Sequence, residues 1–170
     1  TATPIPQPPT ATPSPPNPTP IAGGCSSGLS AEAEQGTLYG AMTLGSGGNF
    51  VYVPDNTKWN YTGARVSTDY AEYCLTVSTA GNYKLAAWVS YVGSKSTSDS
   101  FYVEIDDVTG INGLVWDANP SANGFVQDFV FNRGGPKPFV VYLNPGQHTI
   151  KFHLREDGLK LDKLALMPSN

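Results

Sequence analysis

The sequence predicts an antiparallel β-sandwich for the folded part of the chain. Apolar and polar residues alternate with a period of two in one segment after another, as they do in strands with one buried face. Clusters of Gly, Pro, Asn and Asp separate these segments and supply turns. No window of helical length keeps a period of 3.6 residues. Many short strands with this punctuation are typical of an all-β sandwich.

Residues 1–24 differ in composition from everything that follows. They contain nine of the fifteen prolines and five threonines, and they carry no charged or aromatic residue. Such a segment cannot bury enough apolar surface to offset the entropy of ordering it, and its proline content favours an extended polyproline II spacer. We therefore expect residues 1–24 to be a disordered Pro/Thr-rich linker that joins one folded domain, residues 25–170, to an upstream module.

The first strand candidate carries two glutamates. If residues 29–34 are extended, Glu32 and Glu34 project to the same face, because side chains alternate along a strand. Like charges on one face repel each other unless a cation lies between them. The alternative is an exposed edge strand whose carboxylates are simply solvated.

Five further segments continue the alternation through the centre of the chain. In residues 71–77 the apolar side chains that share a face are Ala71, Tyr73, Leu75 and Val77. The same period recurs in residues 83–91, 101–105, 139–143 and 148–154. Faces of this kind must be buried against a second layer, which completes the sandwich prediction.

The last strand candidate, residues 161–166, places an aspartate among leucines. Asp162 is in phase with Leu164 and Leu166, and a buried carboxylate needs a partner because burying it unpaired costs free energy. First and last strands of a sandwich are often neighbours, which would bring Asp162 beside Glu32 and Glu34. Three carboxylates suit Ca²⁺, a cation that takes about six to eight oxygen ligands. The sequence therefore predicts a calcium site.

The two cysteines, Cys25 and Cys74, are far apart and do not form a metal-binding pair. In a secreted module they would form one disulfide that ties the start of the domain to a central strand. Two free thiols are the alternative.

Several function classes find no support in the sequence. The net charge of −4 is spread without a basic stripe, which argues against nucleic-acid binding. No segment approaches the roughly 20 apolar residues that span a bilayer. Known catalytic motifs are missing, and His148 and His153 would face opposite ways on one strand. Glu32 and Glu34 resemble a glycosidase pair, but a metal would occupy them. We therefore expect a domain without catalytic activity.

Four blocks in order, AEAEQGTLYGAM, VSTAGNYKLAAWVSY, LNPGQHTIKFHL and GLKLDKLAL, resemble carbohydrate-binding modules of families 6 and 35 across residues 29–167. The resemblance implies a secreted, monomeric β-sandwich of jelly-roll type, linked to a glycoside hydrolase. It also implies that Glu32, Glu34 and Asp162 hold structural calcium. Sugar would bind in a cleft made by loops at one end of the sandwich.

The resemblance also implies candidate sugar ligands. Trp116, in LVWDANPSANG, occupies the place of a family aromatic, and we expect it in an exposed loop; a plug over the sandwich end is the alternative. Tyr52 is a second candidate platform, and Trp59 and Trp88 are weaker ones. Lys160 stands where many members have a sugar-binding asparagine, which means either a preference for acidic sugars or an inactive cleft. The remaining candidate polar groups are Arg155, Glu156 and Asp157; the alternative is a charged turn formed by Asp157 and Gly158.

The function expected from these observations is non-catalytic binding of a polysaccharide or cell-surface glycan, which would target the attached module. The alternative is a calcium-stabilised structural or adhesion module of an extracellular protein. An exposed aromatic among polar loops favours the sugar, whereas a large apolar outer face would favour protein contact.

Overall fold

A computed structural model describes residues 24–61, 67–106 and 113–169. The predicted linker therefore lies outside the described residues, except for Gly24. Within these ranges the regular secondary structure is β-strand, apart from two 3₁₀ turns at Ala33–Gln35 and Lys95–Thr97. Neither turn is long or apolar enough to cross a membrane, and the described ranges hold no helix that is.

Sheet A contains five antiparallel strands in the order β2-β5-β11-β7-β8. Their bounds are β2 Thr37–Tyr39, β5 Tyr70–Val77, β7 Ser100–Ile105, β8 Leu114–Asp117 and β11 Gly146–Leu154. The long pairing of β5 with β11 and of β11 with β7 forms its centre.

Sheet B contains seven strands built around the neighbouring strands β6 and β12. Their bounds are β1 Ser30–Glu32, β3 Thr43–Leu44, β4 Val51–Tyr52, β6 Gly81–Tyr91, β9 Val126–Phe129, β10 Val140–Leu143 and β12 Leu159–Pro168. Strands β9 and β10 pair with β6, whereas β1 and β4 pair with β12.

The core lies between the two sheets, and the alternation read from the sequence places it correctly. The apolar face predicted for residues 71–77 is buried in β5, and the intervening residues are half-buried. Strand β11 buries Ile150, Phe152 and Leu154 against it. The predicted β-sandwich is therefore confirmed.

The first and last strands are neighbours, as predicted, because β1 pairs with β12 and sets Glu32 opposite Lys163. Two details differ from the prediction. The extended segment ends at Glu32, so that Glu34 lies in a 3₁₀ turn rather than on the same strand. The register of β12 against β6 shifts between Leu161 and Lys163, which makes Asp162 the extra residue of a β-bulge. Asp162 is therefore half-buried instead of facing the core with the leucines.

Cys25 and Cys74 form a disulfide, with Cα atoms 4.5 Å apart. The backbone N–H of Ser26 donates to the Cys74 carbonyl at 2.9 Å, and the N–H of Thr76 donates to the Gly28 carbonyl at 3.1 Å. The start of the domain is thus held along β5 by both covalent and hydrogen bonds, which confirms the predicted bridge.

Candidate functional site

The three predicted calcium ligands lie on β1, in the 3₁₀ turn that follows it and at the bulge of β12, the strand that pairs with β1. Glu32 accepts a hydrogen bond from Lys163 Nζ at Oε1, 3.0 Å away. Burial raises the pKa of Asp162, and the negative charges of Glu32 and Glu34 raise it further, while Lys163 opposes them. The three carboxylates therefore lie within electrostatic range of one another.

The 3₁₀ turn is fixed from the core side. Ala33 is fully buried, and its carbonyl accepts the phenolic O–H of Tyr73 at 3.1 Å. The backbone N–H of Glu32 donates to Gln35 Oε1 at 3.3 Å. Within residues 24–61, 67–106 and 113–169, no three His, Cys, Asp or Glu side chains have the arrangement of a metal site.

Trp116, the predicted sugar platform, is part of the core. It lies in β8 opposite Phe101, is 0 % exposed, and its indole packs 6.1 Å from the ring of Phe152, centroid to centroid. A fully buried ring cannot stack on a sugar, so the prediction of an exposed loop residue is wrong. The apolar pair Leu114 and Trp116, two residues apart, was the signal of a short strand.

The charged turn Arg155-Glu156-Asp157 was also predicted to contact sugar, and this placement is wrong because all three residues are buried. Arg155 Nη1 donates to Ser100 Oγ at 2.5 Å and to Glu156 Oε1 at 3.0 Å. Ser100 Oγ in turn donates to Glu156 Oε2 at 2.7 Å. Burial of these charges is tolerated because each one is hydrogen-bonded within the protein.

Asp157 has a different structural role in the same turn. Its Oδ2 accepts the backbone N–H groups of Thr57 at 2.7 Å and Lys58 at 2.8 Å. The carboxylate therefore anchors the loop that follows β4, where no strand ladder supports the backbone.

A neighbouring acid, Asp99, extends this network. Burial raises its pKa to about 6, helped by a hydrogen bond and charge repulsion from Glu156 and by the charge of Asp117, while Arg155 opposes the shift. Asp117 in turn forms a two-pronged hydrogen-bonded ion pair with Arg133. These groups hold several loops together at one end of the sandwich.

Two other predicted ligand residues, Tyr52 and Lys160, do come together at the surface. Val51 of β4 lies opposite Leu161 of β12, and both are buried. Their neighbours Phe50, Tyr52 and Lys160 therefore point away from the core.

An aromatic surface results, which we call the Phe50 patch: Phe50, Tyr52, Phe125 and Lys160. The Phe50 ring lies 5.3 Å from Tyr52 and 5.8 Å from Phe125, centroid to centroid. Lys160 Nζ lies 5.2 Å from the Phe50 centroid, a cation–π distance. None of the described carboxylates forms an ion pair with this ammonium group, which can donate hydrogen bonds.

The loop that carries Phe125 is held beside this patch. Ser90 Oγ donates to the Ser121 carbonyl at 2.8 Å, and Lys160 lies opposite Ser90 in the β6–β12 register. Sequence reasoning missed Phe50 and Phe125 because the two are 75 positions apart in the chain and belong to loops with no regular pattern.

The two histidines face opposite sides of β11, as predicted, and each already has a partner. His148 Nδ1 lies 2.6 Å from Asp106 Oδ2, and His153 Nε2 lies 3.2 Å from Glu104 Oε2. Burial lowers the pKa of His153 although Glu104 opposes the shift. Both pairs are built into sheet A, away from the Phe50 patch on sheet B.

Comparison with known proteins identifies the fold. No family model and no curated protein matched the sequence. Among solved structures, the family 35 carbohydrate-binding module from Clostridium thermocellum superposes with a TM-score of 0.53 and 21 % identity, covering 81 % of this chain and 96 % of that one. The C-terminal family 6 module of a laminarinase from Zobellia galactanivorans gives 0.52 and 14 %, with coverages of 82 % and 98 %.

Larger enzymes contain the same fold as one part. A cycloisomaltooligosaccharide glucanotransferase from Paenibacillus sp. matches with a TM-score of 0.55 and 22 % identity over 81 % of this chain, which spans only 18 % of the enzyme. The domain therefore has the β-sandwich fold of family 35 and family 6 carbohydrate-binding modules.

Proposed function

We propose that this domain binds carbohydrate without catalysing a reaction, and that the Phe50 patch is its sugar-binding surface. The observation that carries the proposal is the cluster of three aromatic rings with the Lys160 ammonium group over one of them, an ammonium that pairs with no described carboxylate. A pyranose has a face of C–H groups that a ring can cover, while its hydroxyls need polar partners at the edge. Phe50 supplies the ring and Lys160 supplies donors beside it.

The fold adds independent support, because the solved structures that this chain resembles over nearly their full length are carbohydrate-binding modules. Binding alone requires no activated acid, base or nucleophile. The charged groups of the Arg155–Asp157 turn are engaged in the buried network described above, where they stabilise loops.

Isothermal titration of the domain with cellohexaose, mannohexaose, xylohexaose, laminarihexaose and an oligogalacturonate would test the proposal. We expect a Kd between micromolar and millimolar, which corresponds to roughly 4 to 8 kcal/mol. Phe50→Ala should weaken binding about tenfold or more, since an aromatic anchor is lost.

Tyr142→Ala is the matched control, because Tyr142 is an exposed aromatic on β10, outside the patch. If both variants lose the same affinity for sugar, the Phe50 patch is not the binding site. A panel that shows no binding to the parent domain would overturn carbohydrate binding and leave the structural or adhesion module as the better interpretation.

We also propose that Glu32, Glu34 and Asp162 hold a structural Ca²⁺. Their chemistry fits, because all three offer hard carboxylate oxygens and the β12 bulge frees Asp162 from the regular pleat. The negative charges of Glu32 and Glu34, which help to raise the pKa of Asp162, are charges that a cation here would offset. Lys163 offsets part of this charge through its hydrogen bond to Glu32 Oε1. That hydrogen bond would have to break before this oxygen could bind the ion. The ion would join β1 to β12 and stabilise the fold.

The remaining features suggest the setting in which the domain works. The disulfide is of the kind that persists in oxidising compartments, which supports a secreted or extracellular location. Residues 1–24 would act as a spacer to a second module, such as a glycoside hydrolase. The domain itself would act as a monomer that brings this module to its polysaccharide.

A further inference from the structure

A second aromatic surface lies on the loop that follows β4, residues 54–61, which we call the Trp59 loop. Trp59 is 65 % exposed and Tyr61 is 56 % exposed, with one residue between them. Two aromatic side chains this exposed and this close in the chain form an apolar surface, and a ligand that covered it would release water at a gain in free energy.

The backbone on the N-terminal side of Trp59 is fixed. The N–H groups of Thr57 and Lys58 converge on one carboxylate oxygen of Asp157, at 2.7 and 2.8 Å. Lys58 Nζ also forms an ion pair with Asp69 Oδ2 at 2.5 Å. The residue immediately before Trp59 is thus held by both its main chain and its side chain.

The C-terminal side of Trp59 is fixed as well. The N–H of Asn60 donates to the carbonyl oxygen of Arg155 at 2.8 Å. The Arg155 guanidinium carbon lies 5.0 Å from the Tyr61 ring centroid, within cation–π range. Trp59 therefore projects from a loop anchored on both sides, and a ligand would not have to order the backbone when it binds.

Two cations beside the rings are each paired with a described carboxylate. Lys58 is paired with Asp69, and Arg155 is paired with Glu156. This distinguishes the Trp59 loop from the Phe50 patch, where no described carboxylate forms an ion pair with Lys160. A ligand here would meet two π-faces and hydrogen-bonding groups with little net charge.

We propose that Trp59 and Tyr61 form a second sugar-binding platform, one that takes a neutral pyranose by stacking. The inference rests on the proposed function but uses none of the residues of the Phe50 patch. Two rings separated by one residue match the apolar face of one or two sugar units better than the broad surface of a protein partner, which buries about 800 Å² on each side.

Nuclear magnetic resonance of the ¹⁵N-labelled domain would test the platform directly. The indole N–H groups of Trp59, Trp88 and Trp116 give three signals, and loss of one signal in Trp59→Phe assigns it. Titration with the four neutral hexasaccharides of the panel should shift the Trp59 signal and leave that of the buried Trp116 in place. Trp59→Ala should weaken binding at this platform about tenfold or more, as expected when an aromatic anchor is removed.

Variants separate this platform from the first site. Phe50→Ala should leave the shift of the Trp59 signal unchanged, and Tyr142→Ala should behave as the parent does. If neutral sugars bind in a Phe50-dependent way while the Trp59 signal stays fixed, the second platform is overturned and the proposed function stands. If the Trp59 signal moves with protein concentration instead of sugar, the surface is a protein contact. If no sugar binds the parent domain, both proposals fail.

Discussion

Replacement of Trp116 distinguishes a core residue from a sugar platform. The structure predicts a large loss of stability for the alanine variant and almost none for the phenylalanine variant. The indole is 0 % exposed, and its N–H has no hydrogen-bond partner among the described residues. Trp116→Ala should cost about 3 to 5 kcal/mol of unfolding free energy, as for other large aromatic residues cut from a core.

Trp116→Phe should cost far less than its loss of volume suggests. The change removes three ring atoms, and at about 0.8 kcal/mol per buried apolar group this amounts to roughly 2 kcal/mol. It also removes a buried donor without a partner, whose desolvation costs about 1 to 3 kcal/mol. The two contributions have opposite sign, so the net change should be within about 1 kcal/mol of zero.

Urea unfolding followed by circular dichroism would measure both variants, and titration of the folded variants with glycan would measure binding. We expect Trp116→Phe to bind sugar as the parent does. A Phe variant that is destabilised as much as the Ala variant would refute the argument from the unpaired N–H. A Phe variant that has normal stability but no longer binds sugar would refute the claim that Trp116 serves only in core packing.

Three further outcomes follow from the structure. Replacing Cys25 and Cys74 together by serine should lower stability by about 4 kcal/mol in the chain-entropy model, because the bridge closes a separation of 49 residues; an unchanged melting temperature would contradict it. Chelation should lower the melting temperature of calcium-loaded domain, because loss of the ion removes about 2.7 kcal/mol of unfolding free energy at a hundredfold excess of ion over Kd, and Asp162→Ala should remove that response; the claim fails if the parent does not respond. The pKa of Asp99 in the folded state, about 6, lies above its ordinary value of 3.8. At a pH between these two values, folding is therefore accompanied by uptake of a proton, and the stability that this group contributes is lost as the pH rises from about 4 to 6. Urea titrations across that range should show Asp99→Asn with a flatter profile than the parent, and identical profiles would exclude the effect.

The sequence was most informative where the period of two runs long. In β5 the apolar residues alternate over eight positions, so that the buried face and the sandwich both follow from local pattern. The sequence also predicted that Glu32 lies near the strand of Asp162, because this needs only the general rule that the first and last strands of a sandwich are often neighbours. The bulge at Asp162 did not follow, since it depends on how β12 fits against β6.

Other features depend on partners far along the chain. Arg155 and Asp157 are charged residues beside Gly158, a composition typical of an exposed turn. In the structure both are buried, and their hydrogen-bond partners Ser100 and Thr57 lie 55 and 100 positions away in the sequence. Trp116 lies in a strand of only four residues that is followed by a polar loop. The polar composition of the loop led to the prediction of an exposed residue, although Leu114 and Trp116 alternate as strand residues do. Burial there is decided by the facing sheet, which local sequence does not contain.

The disulfide also determines how the domain would respond to mechanical force. A pull on the chain from the N-terminal side reaches Cys25 and passes through the sulfur atoms to Cys74, in the middle of β5. The 48 residues between them, with β1 to β4 and the Trp59 loop, are bypassed and cannot be drawn out. At about 3.3 Å per residue, roughly 160 Å of extension is withheld. The Trp59 loop, and Phe50 and Tyr52 of the Phe50 patch, would therefore stay folded while an anchored domain is under tension, until the sheet itself shears.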